Sequence, residues 1–302
     1  MQINSKLRLF DIAVNLTDDQ FYGMYHHQKY HKPDYKDVLK RASDIGCEHL
    51  LISSGCLSDL KKTRELCQLS PNYYTTAGIH PCRAYELNKD YYGYMGELKD
   101  QLELALKEKK LVAIGECGLD YDRLGRSTKQ EQMIAFDPHF DLAEKYKLPM
   151  YLHNRNTRDD FYDIMQKNRH RIVGGVVHSF TGPLDELQKI LHLDLYVGVN
   201  GCSLKTQENI NVAKQIPLDK LLLETDAPYC EIKRNHPSSK YVKTQFQAQF
   251  NEKWKEGQLV KSRNEPCKII QVLEVMSELL KVDQEKLSEI CFQNTLKCFG
   301  LA

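Results

Sequence analysis

The sequence contains no C-x-x-C pair, no apolar stretch near the roughly 18 residues of a membrane-spanning helix, and no secretory apolar region in its opening MQINSKLRLF. These absences argue against a zinc ribbon, a bilayer-spanning segment and export by a signal peptide. Its ten cysteines, at 47, 56, 67, 82, 117, 202, 230, 267, 291 and 298, sit mostly among apolar neighbours. That pattern is expected of reduced thiols in the cytoplasm or nucleus. A charge excess is also missing: 42 Lys and Arg face 41 Asp and Glu, for a net +1. No global field therefore draws in nucleic acid, and any polyanion site must be local. Neither G-x-G-x-x-G nor G-x-x-x-x-G-K-[ST] occurs, which removes the glycine-rich phosphate loops of open doubly wound sheets and P-loop enzymes. No Pro/Ser-rich linker or shift in composition interrupts the chain, so residues 1–302 read as one domain.

What is present is a repeating unit. Short apolar runs occur at 8–15 (RLFDIAVN), 48–54 (EHLLISS), 73–80 (YYTTAGIH), 111–116 (LVAIGE), 149–153 (PMYLH), 173–178 (VGGVVH), 195–200 (LYVGVN) and 220–226 (KLLLETD). Continuous apolar runs suit parallel strands buried on both faces, and the intervening segments are long enough for crossover helices. Two of these have helical character: 36–46 places Val38, Leu39, Ala42 and Ile45 on one face, and a Thr128/Glu131 capping box opens one long segment over 128–147. Residues 267–298 read as two closing helices on the outside. Eight βα units predict an α/β protein, a (β/α)8 TIM barrel.

Active sites of such barrels lie at the C-terminal ends of the strands. The runs end on Asn15, Ser53 and Ser54, His80, Glu116, His153, His178, Asn200 and Asp226. Three imidazoles and two carboxylates are thus predicted to meet on one rim. Glu116, His153, His178 and Asp226 form a mixed nitrogen and oxygen set suited to a divalent cation. Gathering these groups out of water with nothing to balance them would cost several kcal/mol for each uncompensated charge. The set therefore predicts a metal centre.

The segments GIHPC (78–82), AIGECGLDYDR (113–123), PMYLHNR (149–155), VVHSFTG (176–182), ETDAPY (224–229) and RNEP (263–266) run in order at the predicted strand ends. Together they resemble the TatD family of metal-dependent deoxyribonucleases, over about residues 8 to 300. The resemblance implies a barrel of the metallo-dependent hydrolase type that hydrolyses DNA phosphodiester bonds, often from the 3′ end. It also implies Mg²⁺ or Mn²⁺, with Zn²⁺ as the alternative, at one or two ions per chain. On this pattern Glu116 is a bridging ligand, His153 and His178 are imidazole ligands, and Asp226 is a ligand that also accepts a proton from the attacking water. His80 faces the scissile phosphate, and Asn154 and Arg155 contact phosphate. Many relatives start with D-x-H-x-H, whereas this chain has Asp11, Ala13 and Asn15, so a second ion is expected to bind weakly or exchange.

Residues 231–263 supply the local charge that the whole chain lacks, with eight basic against three acidic side chains, a net +5. Following the eighth run, this segment is expected beside the rim. Lys240 and Arg263 are its better DNA-contact candidates, ahead of Trp254, joining Asn15 and Arg155 as expected substrate contacts. Tyr229, Tyr241, Phe246 and Trp254 either stack bases or pack inward. HHQKYHK at 26–32 reads as a polar loop surface, and Ser179 and Cys117 as packing or supporting groups. The expected partner is DNA, single-stranded or at a 3′ end, with neither a membrane nor an obligate protein partner. Two other functions stay open: a metallohydrolase of amide or ester bonds, and a degenerate barrel that only binds.

Overall fold

Eight parallel strands alternate with helices along residues 9–298 in the computed structural model, which describes residues 7–302. The strands are β1 (Leu9–Val14), β2 (Cys47–Ile52), β3 (Tyr73–Ala77), β4 (Leu111–Asp120), β5 (Met150–Arg155), β6 (Gly175–Val177), β7 (Tyr196–Val199) and β8 (Leu221–Leu223). Each pairs with its sequence neighbour, in the order β1 through β8. Helices α1 (Tyr35–Asp44), α2 (Leu57–Cys67) and α3 (Tyr91–Lys107) follow the first three strands. Then come α4 (Lys129–Phe136) with α5 (Pro138–Tyr146), α6 (Asp160–Asn168), α7 (Leu184–His192), α8 (Gln207–Ala213), and finally α9 (Ile269–Leu280) with α10 (Gln284–Cys298). All eight predicted strands are present, and the barrel is the predicted (β/α)8 type.

The ring closes mostly through a side chain. Between β1 and the segment that follows β8 there is one isolated backbone bridge, Val14 to Ala227, with the Asn15 N–H donating to the Ala227 carbonyl at 2.8 Å. Below it, the buried Asp11 carboxylate accepts the Thr225 N–H at 2.9 Å and the Thr225 hydroxyl at 2.5 Å. Burial pushes Asp11 up to about 8, against the hydrogen bonds from Thr225 and Ala13. Asp11 of the D-x-A-x-N opening thus works as a clamp between first and last strands.

One expectation needs correcting. The segment 128–147 is two helices, because Pro138 has no N–H to continue the ladder of α4 and instead takes the first turn of α5. The capping box itself is formed: Thr128 N–H donates to Glu131 Oε2 at 2.6 Å, and Glu131 N–H donates back to Thr128 Oγ1 at 3.3 Å. Two apolar clusters hold the layers together. The larger lies between strands and helices; the smaller joins Phe10, Leu51, Val112, Tyr151, Val176 and Leu222 to Phe292 and Phe299 at the end of the chain. Tyr151, from this second cluster, stacks under the His178 ring with centroids 4.6 Å apart. The apolar fill thus forms the floor on which the rim chemistry stands.

Candidate metal centre

Glu116 reaches the centre because β4 carries an extra residue. Gly115 pairs with Tyr151 and Cys117 with Leu152, so Glu116 falls in the register shift between them. Gly115 has φ +139°, and a Cβ there would stand 2.1 Å from the Tyr151 carbonyl oxygen, so only glycine fits. The Glu116 N–H, released from the ladder, donates to the Ser54 carbonyl at 3.1 Å.

Three imidazoles surround one oxygen of this carboxylate. Glu116 Oε1 lies 2.7 Å from His178 Nε2, 3.1 Å from His153 Nδ1 and 3.3 Å from His80 Nε2. Burial alone would favour the protonated acid, but His178, His80 and His153 outweigh it and hold Glu116 well below the usual carboxylate range. Burial likewise opposes a charge on His178, yet Glu116 and Glu224 raise its pKa well above that of a free imidazole. Imidazole ligands bind a metal in their neutral form, so a cation loaded among these rings would compete with protons for them.

What stands behind each ring differs. His153 has Asp120 behind it, with Nε2 to Oδ2 at 3.2 Å; burial raises the pKa of Asp120, but His153 and Arg155 bring it down to about 2. His178 has Glu224 behind it, Nδ1 facing Oε2 at 3.7 Å. That is too long for a hydrogen bond, and both buried atoms lack any other partner. The other Glu224 oxygen accepts from Ser179 N–H and Asn200 Nδ2, each at 2.7 Å. A carboxylate behind an imidazole fixes the ring and makes its inner nitrogen a better metal ligand. Behind His80 stands a donor instead: the Cys82 N–H gives its hydrogen to Nδ1 at 3.0 Å. The neutral ring then carries its proton on Nε2, the atom turned toward Glu116.

Among the described residues, the atoms that all fall within 4.8 Å of one another belong to His80, Glu116 and His153. The donor set, one buried carboxylate with imidazole nitrogens around it, fits a divalent cation. Of the expected quartet, Glu116, His153 and His178 converge, while His80 comes closer to the centre than a phosphate-facing residue was expected to. Asp226 stands at the edge, with Oδ1 accepting from Asn15 Nδ2 at 2.9 Å and Oδ2 from the Cys230 thiol at 3.3 Å. Burial, opposed by His178 and aided by Glu224 and Glu116, pushes Asp226 up to about 6.

The expected substrate contacts divide. Asn15 spends both ends of its amide internally, since its oxygen accepts from Ser53 Oγ at 3.2 Å; it positions Asp226. Arg155 is 36% exposed and held by Asp120, with Nη2 2.7 Å from Oδ2. Lys240 is exposed, its ammonium 4.9 Å from the Tyr241 ring centroid. Arg263 is a correction. It is 0% exposed and clamped between Asp34, with Nη1 at 2.8 Å from Oδ1, and Glu265 at 2.8 Å, so it is closed to DNA. The sole tryptophan packs inward as well: Trp254 stacks on His31 with centroids 4.5 Å apart and donates to the Gln258 carbonyl at 2.9 Å. His31 is thereby buried, unlike the surface residue expected from HHQKYHK. Sequence reasoning also missed Asp120 and Glu224. The run at 111–116 reads as ending at Glu116, whereas the strand continues to Asp120; Glu224 is the residue directly after β8, in the same ETDAPY segment as Asp226.

Comparison with known proteins places this arrangement among nucleases. The family described as TatD related DNase matches residues 10–300. A deoxyribonuclease Tat-D of Schizosaccharomyces pombe is 40% identical over 299 residues, covering 96% of this chain and 95% of that protein. A protein of Erwinia billingiae named 3′-5′ ssDNA/RNA exonuclease TatD is 32% identical, covering 97% and 99%. The crystal structure of a TatD family hydrolase from Entamoeba histolytica superposes with a TM-score of 0.92 at 36% identity, covering 98% and 99%.

Proposed function

The chain belongs to the TatD-related DNase family, and on that premise we propose that its rim hydrolyses DNA phosphodiester bonds with a divalent cation, removing nucleotides from a 3′ end. When bound, the cation supplies acidified water and neutralises charge on the phosphate. Glu116 and His153, with His178 on the same Glu116 oxygen, would hold it, and Asp120 and Glu224 keep the two rings in place. Asp226 stands at the edge of this centre, and its carboxylate would take the proton of an attacking water. Asn15 and Cys230 aim its carboxylate. His80 Nε2–H donates to an oxygen that gains charge as the bond breaks. Arg155 and Lys240 meet the backbone phosphates; in a largely neutral protein such local cations set the salt dependence.

We assign one tightly bound ion, because Ala13 joins the apolar floor and the Asn15 amide is committed to Asp226 and Ser53. The cytoplasmic or nuclear location expected from the cysteines is part of the same proposal. The sharing of one Glu116 oxygen by three imidazoles carries this reading. Its test is digestion of a 3′-labelled single-stranded oligonucleotide with Mn²⁺ by the wild type and by Glu116→Ala. The wild type should shorten the strand from its 3′ end and the variant should not, with circular dichroism unchanged. Full turnover by the variant would sink the proposal.

A further inference from the structure

Two thiols meet on the rim beside Asp226. Cys202 lies in the loop after β7 and Cys230 in the loop after β8, and each thiol acts on the other, drawing Cys202 below the ordinary thiol range and pushing Cys230 above it. The loops touch backbone to backbone: a Cβ on Gly201 would stand 2.1 Å from the Cys230 carbonyl oxygen. The Cys202 N–H donates to Asn200 Oδ1 at 2.8 Å, which ties this loop to the residue that also holds Glu224. Seven of the ten cysteines are buried; of the three that are not, two are this pair. Their third neighbour is functional, since the Cys230 thiol donates to Asp226 Oδ2 at 3.3 Å. A thiolate metal site is not what they form, because Cys202, Cys230 and Asp226 do not bring three ligand atoms within 4.8 Å among the described residues.

We propose that Cys202 and Cys230 are a reversible oxidation site, a dithiol that a peroxide converts to a disulfide and that thereby slows the hydrolase. The inference rests on the function proposed above. One thiol attacks hydrogen peroxide to give a sulfenic acid and water; the other thiol then displaces water from that sulfur, so two thiols and one peroxide give one disulfide and two waters. Cys230 keeps no S–H in the product, and Asp226 loses the donor to Oδ2, leaving Asn15 to hold its carboxylate. A dithiol reductant restores both groups.

The test treats the chelator-washed protein with hydrogen peroxide, removes the oxidant with catalase, and only then adds Mn²⁺ and labelled oligonucleotide. A non-reducing peptide map should show Cys202 joined to Cys230, and activity should fall roughly tenfold, the scale of one lost hydrogen bond to a charged group, and return with dithiothreitol. Cys202→Ser should keep full activity when reduced, form no cross-link and keep its activity after peroxide; Cys202→Ala gives the same comparison if serine does not fold. Absence of the cross-link in the wild type overturns the proposal. So does a cross-linked protein of undiminished activity, or equal inactivation of the Cys202 variants. A reduced wild type that cuts no DNA would instead refute the nuclease reading, and the peptide map would still decide whether the pair is oxidised.

Discussion

The Nδ1 atom of His80 accepts the Cys82 backbone N–H at 3.0 Å, so the ring's proton sits on Nε2, facing Glu116. His153 and His178 have carboxylates in the corresponding place. The same side chain is therefore set to two tasks by what lies behind it: two rings give a lone pair inward and one gives a proton. His80→Ala should lower kcat by about 10²-fold to 10³-fold, the usual worth of a positioned proton or oxyanion donor, with Mn²⁺ affinity changed only a fewfold. His178→Ala should mainly weaken Mn²⁺ binding. Steady-state kinetics paired with Mn²⁺ titration followed by electron paramagnetic resonance separates the two. Equal loss of metal by both variants would show that His80 is a ligand.

Glu224 touches no proposed substrate and still should matter. Its free oxygen confronts the orphaned Nδ1 of His178, and its other oxygen is locked by Ser179 and Asn200. Glu224→Gln removes the charge behind the ring while keeping the shape. Loss of such a partner costs about 10- to 100-fold in metal affinity, so the Mn²⁺ dissociation constant should rise by that factor, and activity should recover at high Mn²⁺. If saturating Mn²⁺ restores nothing, Glu224 acts otherwise than through His178.

Arg263 should behave as a structural residue. It is enclosed with Asp34 and Glu265, and Arg41 approaches the same Glu265 from the other side at 2.8 Å. Arg263→Ala leaves buried carboxylates short of a partner, a change that costs about 3–5 kcal/mol. A lower urea midpoint is expected, while the salt dependence of DNA binding by the remaining folded protein should not move. Lys240→Glu is the converse: unchanged stability, weaker DNA binding, and a salt slope reduced by about one. A full-strength urea midpoint for Arg263→Ala would show that its pairs with Asp34 and Glu265 add nothing to stability.

The contrast shows what sequence could and could not reveal. The eight strands were legible because parallel strands buried on both faces are continuous apolar runs, and Glu116, His153, His178 and Asp226 were legible because each ends one. Asp120 was hidden by the extra residue at Glu116, which lets β4 run past its apparent end. Arg263 was misjudged because its partner Asp34 lies 229 residues away and leaves no local trace. Trp254 and His31 are likewise brought together only by the fold. The break at Pro138, by contrast, was in plain view as a proline within a helical pattern.

His139 gives a prediction about pH. Its Nε2 accepts the Ile79 N–H at 3.0 Å and its Nδ1–H donates to the Phe136 carbonyl at 3.3 Å, so the buried ring is neutral and supports the backbone just before His80. Burial pushes its pKa from the ordinary 6.5 down to about 4, although backbone carbonyls pull the other way. Between those values the unfolded chain binds the proton and the folded chain does not. The stabilisation is therefore complete above 6.5 and lost as pH falls toward 4, by roughly 3 kcal/mol. His139→Gln keeps an acceptor for Ile79 but cannot gain that charge. Urea unfolding at about pH 7.5 and about pH 4.5, on either side of most of this window, should show a smaller acid loss in the variant than in the wild type. Identical acid losses would mean that other groups, such as the Glu116 cluster, govern acid stability and that His139 contributes only its hydrogen bonds.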